Sequence, residues 1–145
     1  MLRLFLLMAV IGGYSPARGS DLHREATAFL ERLYSRGHTC VAMKGFELNL
    51  MEPCTVAVYP PEKSCGEGFY AALGGNNILD LGLRLEGDGW FIEDSLPDDV
   101  PVLGVDHVQI AEGIRLIVTA RDMIRGALVD SVVVIWAFSP VDRHR

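Results

Sequence analysis

The chain has 145 residues, of which 50% are hydrophobic and 22% are charged, a size and composition typical of one folded domain. Acidic residues outnumber basic ones by 19 to 13, and the net charge of −6 argues against a nucleic-acid-binding protein, which needs clustered positive charge. The hydrophobic content is too high for intrinsic disorder, and no apolar run reaches the roughly 20 residues of a membrane-spanning helix.

The N-terminal residues have the layout of a secretory signal peptide. Arg3 provides a positive charge, and residues 4–11 form an uninterrupted apolar stretch that two glycines end. We predict a signal peptide over residues 1–19, a single mature domain over residues 20–145 without a transmembrane segment, and a secreted or periplasmic location. A buried N-terminal strand or helix is the alternative for the first segment.

Residues 21–36 have the periodicity of an amphipathic helix. Their apolar side chains recur on one face, at Leu22, Ala26, Phe29, Leu30 and Leu33. Gly37 follows at the position where a left-handed residue commonly ends a helix. The sequence therefore predicts one helix with a single apolar face.

Several stretches after this helix alternate apolar and polar residues or are rich in β-branched residues, and these patterns predict strands. They are residues 46–50, 55–59, 79–86, 90–92, 105–119 and 128–138. The sequence Gly87-Asp88-Gly89 is typical of a turn and predicts a hairpin between residues 79–86 and 90–92. Residues 65–73 predict a short helix instead, and residues 95–104 predict a loop.

A helix followed by these strands predicts an α+β fold, with the N-terminal helix packed on a curved antiparallel sheet of about five to six strands. The helix-then-sheet order and the hairpin sequence GDGWFIED resemble the architecture of cystatin-like and nuclear-transport-factor-like domains. This resemblance concerns architecture only. It implies a scaffold that serves inhibitors, binding modules and some enzymes.

The three cysteines are Cys40, Cys54 and Cys65. In an oxidising compartment two of them would pair, and we predict a disulfide between Cys54 and Cys65 because the proline-rich segment between them reverses the chain. Cys40 would then be a buried thiol. A Cys40–Cys65 bond is the open alternative, and zinc is disfavoured because the spacings match no common zinc pattern.

A hydrolase is the alternative function. The stretches LRLEGDGWFI and DHVQIAEGIRLIVTA resemble the sheet of papain-like bacterial cell-wall peptidases. A Cys–His hydrolase acting on wall peptides or amides would use Cys40 as nucleophile, His107 as base and Asp106 to orient the base. The Asp-Cys-Ser-Gly nucleophile motif of that family is absent from this chain.

Acidic side chains concentrate in residues 86–106, which contain no lysine or arginine. Antiparallel pairing of the hairpin would return the residues after its second strand towards Asp80, whereas Asp88 would lie at the opposite end. The predicted binding patch has few nearby cations and consists of Asp80, Glu93, Asp94, Asp98 and Asp99.

Such a patch favours a cationic protein as partner, through electrostatic attraction, or Ca²⁺, through carboxylate ligands. The predicted function is therefore a small exported acidic protein, a non-enzymatic binding or inhibitor-type module without a cofactor. A solvated acidic edge that only keeps the protein soluble is the plainer alternative.

Overall fold

The computed structural model describes residues 16–39, 41–59, 65–94, 96–98, 100–106 and 113–140, and gives only the backbone of residues 16–20, 65, 66, 105, 106 and 140. The helix is α1, Pro16–Ser35. The strands are β1 Ala42–Asn49, β2 Cys54–Val58, β3 Cys65–Gly74, β4 Ile78–Gly87, β5 Trp90–Glu93, β6 Val102–Asp106, β7 Ile114–Met123 and β8 Val129–Pro140.

These strands form two antiparallel sheets of four strands each, in the orders β1-β8-β3-β6 and β2-β7-β4-β5. The two sheets pack face to face as a sandwich. Helix α1 packs against β8 and β3, on the outer face of the first sheet. We call the first sheet the covered sheet and the second the open sheet, because the outer face of the second carries exposed side chains.

The main core lies between the sheets. In the open sheet, alternate residues of β4 point inwards, and Leu81, Leu83 and Leu85 are at most 1% exposed. Tyr70 of β3 and Phe138 of β8 are the largest fully buried side chains, and their rings meet edge to face at 6.2 Å. The alternation in the sequence therefore corresponds to one buried face on each strand of the open sheet.

Strand β8 is buried on both faces. Val132 and Val134 belong to the core between the sheets. Val133 and Ile135 point to the other side, into a second core that α1 closes. The helix contributes to this second core the apolar face predicted from the sequence, with Leu22, Ala26, Leu30 and Leu33 buried and Phe29 partly buried.

The end of α1 confirms the predicted role of Gly37. This glycine has a φ of +88°, its N–H donates to the carbonyl of Tyr34 at 3.0 Å, and the N–H of His38 donates to the carbonyl of Leu33 at 3.1 Å. The two bonds form a Schellman motif, which satisfies carbonyls at the helix end. The start differs from the prediction, because α1 begins at Pro16, within the residues assigned to the signal peptide.

Two fold predictions need correction. The α+β class holds, but the single curved sheet of five to six strands is wrong, since two sheets of four strands are present. Residues 65–73 lie in a strand and not in a short helix. Residues 70–73 are buried on both faces of the covered sheet, and this burial outweighs the helical propensity of alanine and leucine.

The predicted hairpin is confirmed as β4 and β5, with Gly87 paired to Trp90 across a turn in which Gly89 has a φ of +77°. A side chain at Gly87 would overlap the indole ring of Trp90. The hairpin therefore needs glycine at both positions, for space at Gly87 and for backbone conformation at Gly89.

Candidate functional site

The hydrolase residues lie largely outside the described structure. Cys40 and His107 are not among the described residues, and only the backbone of Asp106 is described, where it pairs with Glu67. His38, two residues before Cys40, makes contacts within the fold. The Nδ1 atom of His38 lies 3.2 Å from the carbonyl oxygen of Leu33, and its ring meets Phe69 at 5.9 Å.

The predicted Cys54–Cys65 disulfide is not formed, and Cys54 carries a free, half-buried thiol. Cys54 follows the turn after β1, whose last residue, Asn49, pairs with Val129 at the start of β8. Cys65 pairs with Pro140 at the other end of β8, a strand of 12 residues. This separation exceeds the limit of about 7 Å between the Cα atoms of a disulfide.

After β5, the chain runs back along β4. The N–H of Asp94 donates to the carbonyl of Leu83 at 2.9 Å, and the N–H of Leu81 donates to the carbonyl of Asp98 at 2.7 Å. Asp98 therefore lies beside the residue that follows Asp80, as the hairpin pattern predicts. Asp88 lies at the turn, at the far end of β4.

Two carboxylates of this edge are engaged with the protein itself. The two oxygens of Asp94 accept hydrogen bonds from the N–H groups of Leu96 and Val102, at 2.8 and 3.0 Å. Oδ1 of Asp80 lies 3.1 Å from Nη2 of Arg121. Asp94 thus organises the loop before β6, and Asp99 lies outside the described residues.

Arginines lie on the same outer face as the predicted patch. Arg84 lies opposite Glu93 in the register of β4 and β5. Its Nη2 atom lies 2.9 Å from Oε1 of Glu86. Its Cζ atom lies 3.7 Å from the centre of the Phe91 ring. Arg115 approaches the other carboxylate oxygen of Glu86 at 3.4 Å. The contacts of Arg115 with Glu86 and of Arg84 with Phe91 depend on the register between β4 and its neighbours, which the sequence did not reveal.

The Ca²⁺ alternative gains no support from the described side chains. Among them, no group of three or more histidine, cysteine, aspartate or glutamate residues is arranged to hold a metal ion. In the same part of the chain, no helix has both the length and the apolar character needed to cross a membrane.

A second region lies at the end of the sandwich where β4 begins. A groove of about 550 Å³ separates the first half of α1 from the β3–β4 and β7–β8 turns, and Asp21, Glu25 and Asp130 contribute acidic side chains to it. The carboxylate of Asp130 accepts hydrogen bonds from the N–H groups of Asn77 and Ser131, at 2.8 and 2.7 Å. Asp130 therefore fixes the wall of the groove.

Exposed apolar side chains occupy the turns beside this groove. Leu128 is 71% exposed and Met51 is 65% exposed. Two backbone bonds hold their turns in place, one from the N–H of Leu50 to the carbonyl of Leu128 and one from the N–H of Met51 to that of Ala120. We call the following residues the turn-end patch: Met51, Ile124, Leu128 and Val129. Sequence reasoning treated these residues only as turn or strand formers.

No family model and no curated protein matches the chain. One solved structure similar to it is "Crystal Structure of FLHE", at 19% sequence identity. The match covers 71% of this chain and 98% of that chain, with a TM-score of 0.39. A likeness at this level identifies neither a family nor a function.

Proposed function

We propose that this protein is a small exported binding module without enzymatic activity, and that it binds a cationic protein through the outer face of the open sheet. One contrast between the sheets carries the proposal. Helix α1 packs on the outer face of the covered sheet, whereas the outer face of the open sheet presents Phe91, which is 53% exposed. Exposed aromatic side chains with charged neighbours are typical of protein-binding surfaces.

The surroundings of Phe91 suit a cationic partner. Glu93 lies two residues from Phe91 on the same face, whereas Glu86, opposite Phe91 in the register of β4 and β5, already contacts Arg84 and Arg115. The guanidinium of Arg84 stacks on the ring. A partner with lysine or arginine beside an apolar side chain would meet Glu93 and the ring together. The acidic edge after the hairpin, with Asp94 and Asp98, would accelerate its approach.

A binding measurement tests this proposal with basic peptides as probes. Fluorescence anisotropy would follow a labelled 12-residue peptide that contains lysine and one tryptophan, with its glutamate counterpart as the charge control. We expect the variant Phe91→Ser with Glu93→Gln to bind the basic peptide about tenfold more weakly, as expected for loss of an aromatic anchor. The control is Glu47→Gln on the covered sheet. It removes one negative charge, as Glu93→Gln does, and should leave binding unchanged.

Two outcomes would contradict the proposal. Equal binding of the basic and acidic peptides, or affinity unchanged between low and high salt, would remove the role of charge, because salt screens exposed charges beyond about 8–10 Å. Hydrolysis of a peptide or amide that is abolished by Cys40→Ser and by His107→Ala would establish the hydrolase in its place.

Export is part of the proposal and has its own test. The positive charge of Arg3 and the apolar residues 4–11 support it. Intact-mass measurement on the extracytoplasmic fraction should find a chain that begins between residues 18 and 21. A full-length chain confined to the cytosol would contradict export while leaving the binding test valid.

A further inference from the structure

The turn-end patch exposes apolar side chains that do little for the stability of the fold. Leu128 and Met51 are the most exposed, at 71% and 65%, and Ile124 and Val129 follow at 42% and 38%. An apolar side chain stabilises a fold through the surface that it removes from water, and these side chains leave much of theirs in water. Grouped exposed apolar residues on neighbouring turns are typical of an interaction surface.

Met51 is the clearest example of an apolar side chain that the fold itself does not require. It has a φ of +65°, the one positive value among the described residues other than glycine. Asparagine or glycine would adopt this left-handed conformation at lower cost than methionine. Neither backbone conformation nor burial therefore accounts for a methionine at this turn.

The charges around the patch select the chemistry of what it binds. Asp21, Glu25 and Asp130 line the adjoining groove, and Glu52 and Asp122 are exposed on or next to the same turns. Three arginines lie close by, namely Arg24, Arg125 and Arg121, which precedes Asp122 and is paired with Asp80. Arg24 is a distant partner of Asp21, with 3.9 Å between the atoms and both side chains more than 70% exposed, and Arg125 is exposed on the β7–β8 turn. The surroundings of the patch are therefore predominantly negative.

This charge argues against a second copy of the chain as occupant. Two symmetric copies would bring the same carboxylates together, and like charges oppose association. A segment with basic side chains would gain both the apolar contact and the electrostatic attraction.

We propose that the turn-end patch and its groove form a second docking surface, which takes an apolar, basic segment of a partner protein. Leucine-like side chains of that segment would contact Met51 and Leu128, and its lysine or arginine side chains would face Asp21 and Glu25. This surface is separate from the Phe91 face, and the proposal does not depend on the proposed function.

The test uses the full chain and a labelled 14-residue amphipathic peptide of leucine and lysine. Two control peptides replace either all leucines by serine or all lysines by glutamate. We expect the variant Met51→Asn with Leu128→Ser to bind the leucine–lysine peptide about tenfold more weakly, as for truncation of central apolar contacts. Because asparagine tolerates the left-handed conformation, Met51→Asn should keep the urea midpoint of the wild type or raise it.

A charge-matched pair of variants separates electrostatics from folding. We expect Asp21→Asn with Glu25→Gln to weaken binding about threefold to tenfold at low salt, and the difference should shrink at high salt. The control, Glu31→Gln with Glu47→Gln, removes two exposed carboxylates elsewhere and should bind the peptide as the wild type does.

Four results would overturn the proposal. In the first, the patch variant binds as tightly as the wild type while Phe91→Ser loses binding, which places the peptide on the open sheet and leaves the proposed function intact. In the second, both control peptides bind as well as the leucine–lysine peptide. In the third, the full chain binds but the chain shortened to residues 20–145 does not, which places the peptide on the N-terminal segment and not on the patch. In the fourth, sedimentation shows a dimer that the patch variant dissociates.

Discussion

The two sheets of this sandwich differ in how their central strands meet the solvent. Strand β8 of the covered sheet is apolar at successive positions, with residues 132–135 all at most 4% exposed. Strand β4 of the open sheet alternates, so that Leu81 and Leu83 are buried while Gly82 and Arg84 lie on the outer face. The difference shows that a continuous apolar strand requires a second layer such as α1, whereas an alternating strand leaves one face in contact with solvent.

We expect the largest difference in stability between variants on the outer faces of the two sheets. Ile135→Ala removes a fully buried side chain between β8 and α1, and we expect it to lower the free energy of unfolding by about 2–5 kcal/mol. Ile117→Ala on the half-buried outer face of β7 should cost less than half as much. Urea denaturation of both variants measures the difference. Equal costs would mean that the two outer faces are equivalent.

The next contrast concerns two aspartates that hold turns by accepting two backbone hydrogen bonds each. Asp130→Asn acts on a part-buried carboxylate of the covered sheet, and we expect a loss of about 1–2 kcal/mol. Asp94→Asn acts on the exposed loop beside the open sheet and should cost about half of that, because water replaces the lost bonds more readily. Amide hydrogen exchange at Asn77 and Val102 would locate each loss. Faster exchange throughout the domain in either variant would contradict a local role.

A third pair of variants compares two glycines whose replacement by alanine should lower stability equally. Gly37 ends the helix and Gly89 lies in the hairpin of the open sheet, both with positive φ and with no neighbour within 4 Å of an added Cβ atom. Gly37→Ala and Gly89→Ala should therefore each cost about 1 kcal/mol, from backbone conformation alone. Thermal unfolding of the two variants checks this equality. A much larger loss at Gly37 would mean that the helix end also carries packing between α1 and the sheet.

The smallest effect is expected for the ion pairs on the open face. A double-mutant cycle with Asp80→Asn and Arg121→Gln should give a coupling of about 0.2–1 kcal/mol, because both side chains are partly exposed to solvent. The coupling should fall further in high salt. A coupling that is larger and insensitive to salt would show that this face is shielded, contrary to its description as open.

Local patterns predicted several elements because their causes are local. Each of these elements depends on residues no more than eleven positions apart in the chain. They are the apolar face of α1, the glycine that ends it and the alternating hairpin. Residues 65–73 were mispredicted because their burial comes from partners distant in sequence, such as Val134 opposite Ala72. The same limit applies to the candidate site, where the return of Asp98 towards Asp80 followed from hairpin pairing but the arginines beside these carboxylates did not.

The sequence by itself therefore predicted the apolar face and the end of α1, the alternation along β4 and the place where the hairpin turns, because these depend on neighbours in the chain. It also predicted an acidic edge after the hairpin. Only the tertiary structure decided how the strands divide into two sheets, which outer face α1 covers, and that Cys54 and Cys65 begin strands far apart. It likewise brought Met51 and Leu128 onto neighbouring turns, because strand pairing over long separations sets which turns meet at one end of the sandwich.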